Sequence, residues 1–315
     1  MKLHQISGPP SPALARALEE FESHFTYPLG PGKCFRVTHG EDYTLFFRSL
    51  GDSACFIAER QGRVAGALGT AIRQLWMPDG DQSAVAYLGD LKIAQSARGG
   101  MVLLRLANAA EAWLRPQVVS AFGVVMDGTA LTPMAYTGRA GIPGFRDVGR
   151  LMVLRLSGSD EGFASDPDKF VTARGSGLAC YRRLSRGRYA CPTGEAQQRS
   201  QITPIWLMHP DGSACGMLED TLKAKRLISG DGSELLSAHL SCFACQTPSA
   251  GAELIRVALC HAARRALPAL FVAVAEPDAQ ALRASLSCVE ILAAPATVYG
   301  TGLMTGSWNI NSAEI

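Results

Sequence analysis

Apolar positions recur along the chain with two periods. Residues 12–25 place Leu14, Leu18, Phe21 and Phe25 on one side, with Glu19, Glu20 and Glu22 opposite or beside them, which predicts an amphipathic helix. Two short apolar stretches, 54–60 and 63–69, flank Gln61-Gly62 and predict a hairpin with small side chains on its return strand. A polar loop with Pro78, Gly80 and Asp81 follows. Residues 83–93 predict the next strand, interrupted at Gly89, where a bulge or splay is expected. From Gly99 the period changes: Val102, Leu103, Leu106, Ala109, Ala110, Trp113 and Leu114 form one face of a helix that stops before Pro116. A strand over 118–126, a short helix over 132–141 and a strand over 149–156 complete this half.

Residues 157–203 hold few large apolar side chains and many Gly, Ser, Arg and Asp, which predicts a linker or an excursion between domains. Beyond them the order of elements begins again. Strands are predicted over 204–209 and 213–219 around the turn Pro210-Asp211-Gly212, then a basic segment over 221–228 and a long strand over 234–246. A helix over 251–267 follows, with Leu254, Ile255, Ala258 and Ala262 on one face, then a strand over 270–275, a helix over 278–286 and a strand over 297–303. Hairpin, strand, helix, strand, helix, strand occurs in both halves. We therefore expect an α/β (α+β) protein of two copies of one unit, 1–156 and 204–315, joined by 157–203.

Composition narrows the classes. At 315 residues the chain suffices for one large or two average domains. With 47% hydrophobic and 18% charged residues, wholesale disorder is excluded. Thirty Lys plus Arg against 28 Asp plus Glu leave a net charge of +2, which disfavours a dedicated nucleic-acid binder unless basic residues cluster. The first 20 residues carry prolines and charges where a secretory signal needs an apolar run of about 7 to 15 residues. The longest apolar segments, ending at Glu276 or broken by Arg105, Asn108 and Glu111, fall short of the roughly 20 residues of a membrane span. A soluble, cytoplasmic protein is expected, with its nine scattered cysteines as reduced thiols.

The densest chemical signal is Asp90-Leu91-Lys92-Ile93-Ala94-Gln95-Ser96-Ala97-Arg98-Gly99-Gly100-Met101-Val102-Leu103-Leu104. A strand ends, a loop carries an Arg and two glycines, and a helix starts. Two readings fit. Free N–H groups at the helix amino terminus, approached closely past glycine and aided by Arg98, bind phosphate or pyrophosphate; or the glycines serve turn geometry alone.

These residues resemble the acyl-CoA-binding motif of the GCN5-related N-acetyltransferase (GNAT) superfamily, an Arg/Gln-x-x-Gly-x-Gly/Ala loop between a strand and a long helix. The hairpin Phe56 to Gly66 is similar to that family's second and third strands, and Asp127 with Ala130, Tyr136 and Gly141 to Phe145 is similar to its Asn-x-x-Ala…Tyr…Gly-Phe segment. The resemblance covers residues 10–156 by motif and 204–303 by order of elements. It implies two tandem GNAT-like units, each a mixed, mostly antiparallel central sheet flanked by helices, the second degenerate and without its own CoA site.

By this resemblance the co-substrate is acetyl-CoA or another acyl-CoA, and no metal is expected. Main-chain groups of Leu91, Lys92 and Ile93 would hold pantetheine. N–H groups of Arg98, Gly99, Gly100, Met101, Val102 and Leu103 would hold the pyrophosphate. Transfer to a small-molecule or peptide amine needs a base for the ammonium proton and an acid for the leaving thiolate. Tyr136 stands where the family often has that acid; a half-buried structural tyrosine is the other reading. Asp90 is the first candidate base and Asp127 the second, although Asp90 also suits a loop-fixing carboxylate and Asp127-Gly128 simple turn chemistry. Ordered water is a further base. One departure stands out, in that Met101 occupies the place of the loop's second glycine. It supports the alternative function, a non-catalytic tandem protein that binds acyl-CoA or a protein partner.

Three weaker constellations complete the picture. His239, Cys242 and Cys245 have metal-like spacing, but strand alternation puts His239 and Cys245 on one face and Cys242 on the other. Arg174, Arg182, Arg183, Arg186 and Arg188, interleaved with Tyr181 and Tyr189, suit a solvated linker or an inter-domain clamp, or else contact with RNA or an acidic carrier protein, the near-neutral total charge favouring the first two. The tail, Tyr299 through Trp308 to Ile315, ends polar but contains Trp and Ile, which suits either docking on the body to help shape a pocket or an ordered strand end with no chemical role.

Overall fold

The structure is a computed structural model that describes residues 1–30, 32–129, 131–158, 166–286 and 289–315. Ala130 of the motif, Cys288 and residues 159–165 of the expected linker lie outside the described residues. In chain order the first half holds β1 (Lys2–Ile6), α1 (Pro12–Glu22), β2 (Tyr27–Pro28), β3 (Cys34–Thr38) and α2 (Leu45–Arg48), then β4 (Asp52–Arg60), β5 (Arg63–Trp76) and β6 (Gln82–Ile93), then α3 (Val102–Leu114), β7 (Ala121–Met126), α4 (Pro133–Tyr136) and β8 (Arg146–Ser157). The second half holds β9 (Val171–Thr172), α5 (Arg174–Leu184), β10 (Tyr189–Ala190) and α6 (Ala196–Arg199), then β11 (Ile205–Met208), β12 (Ala214–Glu219), β13 (Arg226–Ser229) and β14 (Ala238–Cys245). It ends with α7 (Pro248–Ala263), β15 (Ala269–Ala275), α8 (Glu276–Ala284), β16 (Glu290–Thr301) and β17 (Trp308–Asn309). No helix among the described residues is long and apolar enough to cross a membrane.

Local chemistry explains the element ends. Ser11 caps α1 by accepting the Leu14 N–H, with Pro12 in the first turn. Val102, Leu106, Ala110 and Leu114 form the buried stripe of α3, and the first three pack with Phe56, Ala58 and Leu68 of the hairpin.

The main sheet runs β1-β4-β5-β6-β7-β16-β8-β15-β14-β12-β11-β9. Its two ends are built alike, because β4-β5-β6 and β11-β12-β14 are each antiparallel and each leads through a helix to a parallel neighbour. At the centre β16, from the end of the chain, pairs antiparallel with both β7 and β8, and β8 pairs with β15. Each half thus completes the sheet of the other. A second small sheet, β13-β3-β2, joins them again. The largest core cluster accordingly mixes the halves, with Phe47, Phe122, Phe271 and Trp308 together.

Over its described part, 166–203, the segment expected as a linker or inter-domain excursion packs on both halves, with β10 paired to β5 and to β17. β9 pairs with β11, and α5 packs on β11, β12 and β14. Its arginines act as clamps, with Arg183 donating to Gly212 O, Arg188 paired with Asp278, and Arg182 lying 5.7 Å from the Trp76 ring.

Both halves carry the same irregularity. In β6, Asp90 and Leu91 face the single residue Leu68 of β5, and Asp90 has φ +58°. In β14, Cys242 and Phe243 face Gly216 of β12, and Cys242 has φ +50°. These are β-bulges, in which one extra residue re-aims the strand. The second one corrects the alternation expected for β14: His239 reaches Ser312 in the tail, whereas Cys245 lies against Gly251 of α7.

Candidate active site

The splay expected near Gly89 is present. β6 and β7 pair only at Ala86↔Ala121 and Tyr87↔Phe122, so beyond Tyr87 the strand running into the bulge is no longer paired with β7. The gap opens into a cavity of about 570 Å³ lined by Leu88, Gly89, Asp90 and Leu91 of β6, Leu103 and Ala107 of α3, and Val124 of β7. Tyr136, Pro143, Phe145, Phe35, Phe46, Val153 and Phe271 also line it.

The loop from β6 to α3 turns at Gly99, whose φ of +74° favours glycine. No atom lies within 4 Å of a Cβ built at Gly99, so its backbone is open to close approach. Met101 is 59% exposed and precedes the first turn of α3, where N–H groups have no intrahelical partner. Arg98, Gly99, Gly100, Met101 and Val102 sit outside the cavity lining, at the helix end beside it, and Leu103 is within it. Leu91 and Ile93 pack towards α3, whereas Asp90 and Lys92 turn to the other face.

There they enter a buried polar cluster that pattern reading missed. Lys92 Nζ lies 2.7 Å from Asp90 Oδ1 and 3.1 Å from Glu22 Oε1. Tyr43 Oη donates to Asp90 Oδ2 at 2.7 Å. His39 Nδ1 lies 2.6 Å from Glu22 Oε1, its main-chain N–H donates to Glu22 Oε2, and Asp90 Oδ2 is 3.9 Å from the same ring nitrogen. Burial pushes the Asp90 carboxyl up, but Lys92, His39 and the hydrogen bonds outweigh it and hold the group at about 2. Burial opposes the charge on Lys92, and Asp90, Tyr27 and Glu22 more than restore it. Glu22, His39 and Asp90 bring potential ligand atoms within 4.8 Å of one another, and the Lys92 ammonium already bridges the two carboxylates. A signal for Glu22 existed in the sequence: it stands four residues after Leu18, on the apolar stripe of α1.

Tyr136 is half-buried on the cavity wall, where burial and then Tyr299 push its hydroxyl up to about 12, so it is protonated at neutral pH. Asp127 is placed elsewhere. It accepts from Thr297 Oγ1 at 2.7 Å and pairs with Arg150, outside the cavity lining. The structure therefore brings Asp90, Leu91, Leu103 and Tyr136 to one cavity and leaves Asp127 in the contact between β7, β8 and β16.

The second half contrasts with the first at the same bulge. Cys242 N–H donates to Asn311 Oδ1 at 2.7 Å, and Ser312 Oγ donates to Phe271 O at 3.0 Å, so the chain's own tail occupies the place corresponding to the open gap. Buried ion pairs anchor this tail, Arg73 to Glu314 at 2.7 Å and Arg199 to Glu314 at 3.1 Å. Lys225, over the Phe46 ring at 4.5 Å, donates to the main-chain oxygens of Ala313 and Ile315. Burial and then Arg199 lower its ammonium to about 7.

No protein-family model matches the chain, and no curated protein matches its sequence. Solved structures do match in fold. Saccharomyces cerevisiae N-myristoyltransferase with bound myristoyl-CoA superposes with TM-score 0.61 at 10% identity, over 99% of this chain and 82% of that one. A putative acetyltransferase from Pyrococcus horikoshii gives TM-score 0.59 at 10% identity, over 98% and 92%. A GCN5-related N-acetyltransferase from Anabaena variabilis gives 0.51 at 12%, over 94% and 72%. With the two bulged, splayed half-sheets, these likenesses show that the chain has the GNAT-superfamily fold, as two tandem units that exchange their central strands.

Proposed function

We propose that the chain is an acyl-CoA-dependent N-acyltransferase that moves an acyl group directly to a small-molecule or peptide amine in a ternary complex. The open gap between β6 and β7 carries this reading. It offers the bulged edge of β6 to a pantetheine arm, the glycine loop and the amino end of α3 to a pyrophosphate, and an apolar cavity to the acyl group. Among the described residues no placed nucleophile calls for a covalent intermediate.

Main-chain groups of Leu91, Lys92 and Ile93 would hold the arm and those of residues 98–103 the pyrophosphate. Tyr136, protonated and on the wall, supplies the proton for the leaving thiolate. Asp90, ionised and tied to Lys92 and Tyr43, positions the bulge; a carboxylate held at about 2 accepts a proton poorly at neutral pH. Asp127 holds β7 to its neighbours.

Acetyl-CoA is the simplest donor. The aromatic part of the lining, with Phe35, Phe46 and Phe271, supports a second reading in which the donor carries a longer apolar chain, as in the neighbour crystallised with myristoyl-CoA. Each buried methylene adds about 0.8 kcal/mol, roughly fourfold in affinity. Calorimetry with acetyl-, hexanoyl- and decanoyl-CoA separates the two by the slope of affinity against chain length. Binding of none of them removes the proposal. If binding occurs, thiol release with pooled amines should be slowed about 10- to 100-fold in Tyr136→Phe with affinity unchanged; absence of any release leaves a binding protein.

A further inference from the structure

We infer that His39 is the general base of this site, oriented by Glu22. The inference rests on the acyltransferase reading and supplies the group that accepts the ammonium proton.

His39 lies between β3 and α2, is 4% exposed, and lines the same cavity as the bulge residues Asp90 and Leu91. Its position is determined from several sides. Glu22 takes both Nδ1 and the main-chain N–H. Tyr43 meets the ring edge-on at 4.9 Å, and Phe46 and Phe47 flank it at 5.6 and 6.1 Å. With Nδ1–H donated to a carboxylate, the tautomer is set and Nε2 becomes the basic nitrogen. A base oriented by a third group that cannot itself leave is the recurring arrangement for proton transfer at a reacting centre.

Charged and hydroxyl groups face the ring from several elements. Glu22 on α1 and Asp90 on β6 carry two negative charges, and Lys92 on β6 carries one positive charge. Tyr27 on β2 and Tyr43 are held protonated, chiefly by burial, and Lys225 faces the cluster from beyond Phe46. His39 Nδ1 thus lies 2.6 Å from the Glu22 carboxylate and 3.9 Å from that of Asp90.

The step closes as follows. His39 Nε2 takes one proton from the ammonium; the freed nitrogen lone pair forms a C–N bond at the thioester carbonyl, and the C–S bond breaks with its electron pair on sulfur. The second nitrogen proton replaces the one Tyr136 gives to the thiolate, and the His39 proton passes to solvent. Products are the amide, the CoA thiol and one released proton.

His39→Asn is the informative variant, since its amide can still donate to Glu22 while Nε2 is lost. Transfer from acetyl- or decanoyl-CoA to benzylamine should fall about 10²- to 10³-fold, with donor affinity within twofold. Transfer to hydroxylamine, already unprotonated at neutral pH, should fall less than tenfold. Equal losses with both amines, or wild-type rates, overturn the assignment. A second readout is independent of turnover: diethyl pyrocarbonate should modify His39 at Nε2, and saturating acyl-CoA should protect it. A His39 that does not react, or reacts equally with donor bound, also overturns the assignment. Failure of the wild type to bind any acyl-CoA instead removes the acyltransferase reading beneath it.

Discussion

Replacing Lys92 by Met keeps the side-chain length and removes the charge, so it isolates the electrostatics of the buried cluster. In the native protein the ammonium lies 2.7 Å from Asp90 and 3.1 Å from Glu22, and none of the three side chains is more than 10% exposed. Asp90 is held at about 2 against an ordinary 3.8, which corresponds to about 2 kcal/mol of stability at neutral pH. Removing one partner of a buried pair costs about 3–5 kcal/mol. The expected loss is therefore about 2–5 kcal/mol, a large share of a typical total of about 5–15 kcal/mol.

The pH dependence gives a sharper signature. A carboxylate with a depressed folded value contributes stability that is present above its unfolded value and lost as pH falls through the folded one. In Lys92→Met the Asp90 carboxylate is buried without its ammonium, which drives it upward; the cost is felt at neutral pH and relieved by protonation on acidification. The difference between wild type and variant should thus be greatest near pH 7 and shrink towards pH 4. Urea unfolding followed by the fluorescence of the four tryptophans measures it. A difference below about 1 kcal/mol, or one that does not change with pH, would refute the charge argument.

Two further predictions concern the frame of the site. A Cβ added at Gly69 would fall 1.9 Å from Cζ of the fully buried Phe47, so Gly69→Ala should cost about 1–3 kcal/mol by overpacking and lower Tm by several degrees; an unchanged Tm contradicts it. Asn311→Ala leaves the Cys242 N–H without its acceptor in a buried bulge, an expected loss of about 1–3 kcal/mol with faster amide exchange at Cys242. Exchange as slow as in the wild type would mean that the tail does not close the second bulge.

Much of the fold was legible because it is periodic. The 54–69 hairpin and the stripe of α3 follow from spacings of two and of three to four residues, and the repeated order of elements exposed the duplication. The reading lost strands where pattern and pairing conflict. β16 starts at Glu290, before the expected 297, because Pro295 interrupts an otherwise continuous run; its missing N–H is tolerated since β7 ends at Met126, opposite Ala296. β9 and α5 were hidden by the polar composition of their surroundings.

The sequence by itself determined the unit, its repetition, and the glycine loop before α3, because each depends on residues close together in the chain. Only the tertiary structure decided that β8 and β16 exchange between units, that Asp90 and Cys242 adopt bulge geometry without glycine, and that Glu22, His39, Asp90 and Lys92 meet in one buried cluster. These depend on contacts between residues far apart in the chain, as between Asp127 and Thr297, 170 residues apart. They are favourable only when the whole sheet has formed, since burial of unpaired charge or an unpaired strand edge is costly in isolation. The same physics separates the two gaps: Asn311 fills the one beside β14, and the gap beside β6 is left open to a ligand.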